Sequence, residues 1–260
     1  MKYKLSNILS SFRSSPKYFI LGAQKAGTSS LYALLNQHPQ CYAASEKEVH
    51  YFDLNYQLGL KWYLSHFPLG NKFTGEASPY YLFHPLVPAR LTHNFPKAKF
   101  IVLLRNPVDR AYSHYHHVKR YHLESSSTFE QAIERELEDQ TNYEAQFQKA
   151  PNQSIPHHQH RLYLARGRYA EQLKRWFQWV NKEQFLLLSS EDFFENPQAI
   201  VSRCFQFLEL DDKVSIESKA LLQGDYLSMK NTTRRELLNY FEPFNKELFQ
   251  LTSKKWEWNK

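Results

Sequence analysis

Two cysteines, Cys41 and Cys204, are all that this chain contains, and they stand far apart. That excludes a disulfide framework and any cysteine-based metal site, and it suits a reducing compartment. No apolar run approaches the roughly 18 residues that a membrane-spanning helix requires. Residues 1–16 place basic and serine side chains around Leu5, Ile8 and Leu9, without the continuous apolar stretch of a secretion signal. The expectation is therefore an N-terminal extension over 1–16, one domain over 17–260, no transmembrane segment and a cytoplasmic setting. Internal repeats and low-complexity segments are absent as well. Basic residues outnumber acidic ones by 33 to 26, a formal charge of +7, but they are interleaved with acids rather than clustered. Such a pattern excludes a nucleic-acid-binding patch and leaves a field that attracts small anionic ligands. Histidine is plentiful, with His114, His116, His117 and His122 on or beside one predicted helix. Neighbouring side chains diverge around a helix and no acid or cysteine completes a ligand set, so no metal is expected.

What is present is a concentrated signal between Tyr18 and Leu35. The apolar run Tyr18 to Leu21 predicts a buried strand, and it passes through Gly22 and Gly27 into a pattern with Leu31, Leu34 and Leu35 at helical spacing. A strand, a glycine turn and a helix leave the helix's first N–H groups pointing at one spot, where the helix dipole also favours negative charge. Lys25 adds a mobile positive charge, and Thr28, Ser29 and Ser30 add hydroxyl donors. A nucleoside-triphosphate P-loop would place its lysine after the second glycine. Here the lysine stands two residues before Gly27, and Thr28 occupies the lysine's slot.

The remaining chain alternates strand and helix. Strands are predicted at Gln40 to Ala44, Lys72 to Ser78, Lys99 to Leu104 and Gln184 to Ser189, with helices near 56–67, 86–94, from Val108, over 129–147, from 166 to 180, from Asn196 to Leu208 and from 231 to 251, the last interrupted at Pro243. Residues 148–160 read as a polar loop. This order predicts a single α/β domain whose central sheet is mostly parallel, with helices on both faces and the phosphate turn after the first strand. The strand ending at Leu104 runs into Arg105, where a Walker-type nucleotidase would place an aspartate for magnesium. Ser113 follows eight residues later. Next to the second strand stands Glu46-Lys-Glu48-Val-His50-Tyr-Phe-Asp53, dense in titratable groups.

The loop Lys25-Ala26-Gly27-Thr28-Ser29-Ser30-Leu31 resembles the 5′-phosphosulfate loop of sulfotransferases that use 3′-phosphoadenosine 5′-phosphosulfate. Glu48 to Asp53, Gly59 to Tyr63, Gly75 to Tyr80, Leu104 to Pro107 with Ser113, Arg166 to Tyr169, and the terminal Tyr226, Met229, Phe241, Pro243 and Asn245 are similar, in that order, to blocks of the heparan-sulfate type and its bacterial relatives. The resemblance implies a sulfuryl donor held by residues 25–30, by Arg105 and Ser113 at its 3′-phosphate, and by Tyr169, with 3′-phosphoadenosine 5′-phosphate (PAP) as product. It implies Glu48 as general base, with His50 as rival base or orienting partner, and Lys25 meeting charge on the departing phosphate. A carboxylate in a partly dry pocket is expected to titrate closer to working pH.

Two departures stand against the family pattern. Ala77 follows Glu76 where a lysine is common, and 221–226 carries neither the cysteines nor the basic glycine loop of the heparan enzymes. The expected activity is sulfuryl transfer to a hydroxyl, less readily an amine, of a carbohydrate or glycosylated small molecule. The competing readings are a small-molecule P-loop kinase and an inactive anion- or glycan-binding module.

Overall fold

The structure is a computed structural model and describes residues 13–218 and 226–258. Five strands form one sheet in the order β2-β3-β1-β4-β5: β1 Tyr18–Gly22, β2 Cys41–Tyr42, β3 Phe73–Ala77, β4 Lys99–Leu104 and β5 Phe185–Ser189. Every pairing is parallel. β1 and β4 are buried almost throughout, which is why they read as continuous apolar runs rather than alternating ones. The helices are α1 Thr28–Leu35, α2 Gly59–Leu64, α3 Val87–Asn94, α4 Pro107–Arg120, α5 Phe129–Glu138, α6 Tyr143–Lys149, α7 Pro156–His160, α8 Tyr169–Phe177, α9 Ser190–Glu195, α10 Pro197–Leu208 and α11 Asn231–Thr252.

The main core lies around the sheet, joining Phe19, Leu21, Leu31, Phe100, Leu103, Trp176 and Phe205. A second, smaller core forms where α4, α5 and α11 meet, through Val108, Ala111, Phe129, Leu237 and Phe241. Chain order leaves β1 in two directions, toward β3 and β2 on one side and toward β4 and β5 on the other. The loops after β1 and β4 therefore flank the point where connections diverge, the usual ligand crevice of an open parallel sheet.

Three expectations need correction. The helix predicted over 129–147 is two helices, because Asp139 accepts hydrogen bonds from the backbone and hydroxyl of Thr141, and Asn142 caps α6. These side chains offer the backbone an alternative to helix. The polar loop 148–160 contains α7, which starts at Pro156. Pro243 does not interrupt α11, since buried Leu237, Phe241, Asn245 and Leu248 anchor both sides of it. Of the segment 1–16, Arg13 donates to the Phe67 carbonyl and Ser14 to that of Gly70, so these two residues are tied to the loop before β3. Residues 1–12 and 221–225, the latter most of the expected cofactor loop, lie outside the described residues.

Candidate active site

The turn after β1 is held from both sides. Ala23 donates to Leu103 on β4 at 2.7 Å, Ala26 donates to Ala23 at 3.1 Å, and the Ser190 hydroxyl donates to the Ala26 carbonyl at 2.8 Å. The Ala26 N–H is thus paired inside the loop. Gly27, at φ 97°, is the residue before α1 and supplies no side-chain cap. Only glycine suits that conformation, and a Cβ there would lie 3.0 Å from Phe194 and 3.3 Å from Phe193. The first turn of α1 is consequently left without a side-chain partner, with Thr28 buried, Ser30 half-buried and Ser29 exposed. Such an uncapped helix start fits an anionic phosphate.

Arg105 leaves the end of β4 and donates to the Lys25 carbonyl at 2.9 Å. Asp109 does not claim it: that carboxylate binds Arg234 at 2.7 Å. Among the described residues Lys25, Arg105 and Arg120 have no carboxylate partner. Burial first, then the charges of Arg120 and Arg105, lower the pKa of Lys25 from its ordinary value, with Glu48 acting in the opposite sense. An anion placed among these cations would relieve that repulsion. Ser113, two turns into α4, is buried. Tyr169 is 1% exposed, and its hydroxyl donates to the Arg105 carbonyl at 2.9 Å. It thereby braces the backbone at Arg105.

A cavity of about 170 Å³ lies beside this cluster, and its lining includes Gln24, Glu48, His50, Tyr80, His117 and Arg166. Lys25 Nζ lies 3.4 Å from His117 Nδ1, so the phosphate turn reaches the cavity wall. Lys25, Glu48 and His50 all take positive φ, at 69°, 63° and 52°, strained conformations that the surrounding bonds must hold. His50 Nδ1 is 2.7 Å from buried Asp53, and its Nε2 is 3.3 Å from Glu48. Burial alone would lower the pKa of His50, but its bonds to Asp53 and Glu48 outweigh it and raise the pKa to about 10. Burial alone would raise Glu48, but His50 and Lys47 hold it at about 2. The expectation of a carboxylate titrating near working pH is therefore reversed, because two cations face it. This raised pKa favours the protonated form of His50 at neutral pH.

His117 went unrecognised in the sequence because the histidines of its helix suggested a metal and then failed as ligands. They do diverge: His114 packs on Tyr163, His116 stacks on Tyr226, and His117 turns to Lys25. The readable signal was its place one turn beyond Ser113, on the same helix face. Arg166 is buried, stacks on Tyr80 and Phe83, and donates to Gln24 Oε1 at 2.7 Å. No sequence pattern announced that link.

The model of a sulfotransferase domain matches residues 15–256, beginning inside the expected extension. A solved sulfotransferase from Alicyclobacillus acidocaldarius superposes with a TM-score of 0.77 at 29% identity, over 95% of this chain and 99% of that one. The membrane-associated sulfotransferase kil1 of Dictyostelium discoideum is 25% identical over 94% of this chain and 66% of its own length. The human bifunctional heparan sulfate N-deacetylase/N-sulfotransferase 1 is 29% identical over 76% of this chain, which spans only 22% of that protein. Among the described residues no helix is long and apolar enough to cross a membrane. With a domain match across nearly its whole length, the chain belongs to the sulfotransferase family.

Proposed function

We propose that this chain transfers a sulfuryl group from 3′-phosphoadenosine 5′-phosphosulfate to a hydroxyl of a carbohydrate or glycosylated small molecule. The observation that carries the proposal is the meeting of two clusters: an anion-seeking one at Lys25 and Arg105, and a proton-accepting one at Glu48, joined through the Lys25–His117 contact. When bound, the donor supplies an activated sulfuryl group whose leaving portion is a phosphate. Lys25, the N–H groups opening α1 and the Thr28 hydroxyl neutralise charge on that phosphate, while Arg105 and Ser113 hold the second one. The backbone contact between Arg105 and Lys25 fixes the spacing of the two anion sites. His117 accepts from the Lys25 ammonium and restrains where it points. The two free, buried cysteines suit a reducing, cytoplasmic setting, and the heparan sulfate relatives suit a saccharide acceptor.

Glu48 accepts the acceptor's proton as the new O–S bond forms. Its Oε1 accepts from the Lys47 ammonium at 2.5 Å. An entering hydroxyl replaces Lys47 at that oxygen, leaving His50 to hold the other, and removal of one cation raises the basicity of Glu48. His50, fixed by Asp53, then orients the carboxylate without taking the proton. Radiolabelled donor offered with a panel of saccharide acceptors tests this. Transfer should appear in the parent and fall about 100-fold or more in Glu48→Gln. Donor binding without turnover in the parent would instead favour an inactive binding module.

A further inference from the structure

Directly behind the Glu48–Asp53 turn lies a buried carboxylate that the transfer chemistry does not use. Glu76, at the end of β3, is 1% exposed and has no cationic partner among the described residues. Three hydroxyls donate to it: Tyr81 at 2.8 Å and Ser78 at 2.7 Å to one oxygen, and Tyr63 at 2.5 Å to the other. The Tyr81 hydroxyl oxygen in turn accepts the backbone N–H of Tyr51 at 2.9 Å and of Phe52 at 3.3 Å. These N–H groups immediately follow His50, in a stretch where Glu48 and His50 both adopt positive φ. Arg90 braces the same stretch by donating to the Phe52 carbonyl at 2.8 Å.

We propose that Glu76 is a positioning residue for the Glu48–Asp53 turn, acting through the Tyr81 hydroxyl. The proposal rests on the role given above to Glu48. Burial pushes Glu76 up to about 7, against the bonds from Tyr63, Ser78 and Tyr81 that favour its ionised form. In that form, which prevails above this pH, it only accepts, while a tyrosine hydroxyl has one proton and two lone pairs. Glu76 therefore fixes the Tyr81 proton toward β3 and leaves both lone pairs for the N–H groups of the turn. An amide at position 76 would present a donor to one of the three hydroxyls and upset this order. Phenylalanine at position 81 would keep the ring but leave two backbone donors unpaired inside the protein. The turn would then lose the alignment that sets His50 between Asp53 and Glu48.

The imidazole of His50 reports that alignment directly, with no acceptor needed. Its resonances, identified by their loss in His50→Gln, are followed by NMR through a pH titration. The groups facing the ring are Glu48 and Asp53, with His160 acting on it across the cavity, and the parent should hold the His50 proton to near pH 10. In Tyr81→Phe and in Glu76→Gln the midpoint should fall by about one pH unit or more toward the free value near 6.5. Tyr63→Phe serves as control: it removes a bond to the other Glu76 oxygen, so it should lower the melting temperature yet leave the His50 midpoint in place. An unchanged midpoint in folded Tyr81→Phe and Glu76→Gln would overturn the proposal. So would an equal fall in Tyr63→Phe, or a parent midpoint near 6.5. PAP affinity, measured on the same variants, should stay within about two-fold of the parent. A failure of donor binding in the parent would therefore count against the sulfotransferase reading and not against this linkage.

Discussion

Glu48 and His50 differ by two positions in sequence, yet their surroundings shift their titration in opposite directions. The imidazole sits between two carboxylates that raise its pKa, while the carboxylate sits between Lys47 and His50, which lower its own. Sequence alone left the choice of base open, because a two-residue spacing says nothing about which neighbours each side chain meets. Lys25, Thr28 and Arg105 were legible, since strand ends and glycine spacing fix where they emerge. The hydrogen bond from Tyr169 to the Arg105 carbonyl was not legible, because a motif carries no information about which way a ring points. That bond gives a prediction: Tyr169→Phe loses one hydrogen bond behind Arg105 and should weaken PAP binding by about five-fold or less. Arg105→Ala removes a charged group and should weaken it by about ten-fold or more.

At the scale of elements, the five strands were readable because buried parallel strands are short apolar runs bounded by turns, as Lys99–Leu104 shows without any shift of its ends. The break between α5 and α6 was not, because it depends on Asp139 and Asn142 bonding to nearby backbone rather than on loss of periodicity. The junction of β1, turn and α1 is the element on which the site depends most. Gly27→Ala must force an alanine to φ 97° against Phe193 and Phe194. It should cost about 1–3 kcal/mol in urea unfolding and weaken PAP binding at the same time. Unchanged affinity in that variant would mean that the helix start does not hold the phosphate.

Over the whole molecule, buried histidines set the response to acid. His84 and His158 are nearly inaccessible, and burial, reinforced by Arg90 and Arg175 around His84 and by Arg166 beside His158, depresses them to about 3 and about 2. In the unfolded chain both bind protons below about pH 6.5. Between that value and about 3 the unfolded chain therefore holds more protons, and their contribution to stability is present above 6.5 and lost as pH falls. His50 acts on the other flank: raised to about 10, its contribution is full below 6.5 and lost as pH rises through 10. Melting temperature against pH should thus decline on both sides of neutrality, and His50→Gln should flatten the alkaline decline alone. The central claim, a donor site built by Lys25 and Arg105 at the divergence of the sheet, is tested most directly by calorimetric titration of PAP into the parent, Lys25→Ala and Arg105→Ala, without magnesium. The account predicts micromolar or tighter binding to the parent and a loss of about 1.5 kcal/mol or more in each variant. Absence of PAP binding to the folded parent, or equal binding by all three proteins, would contradict it.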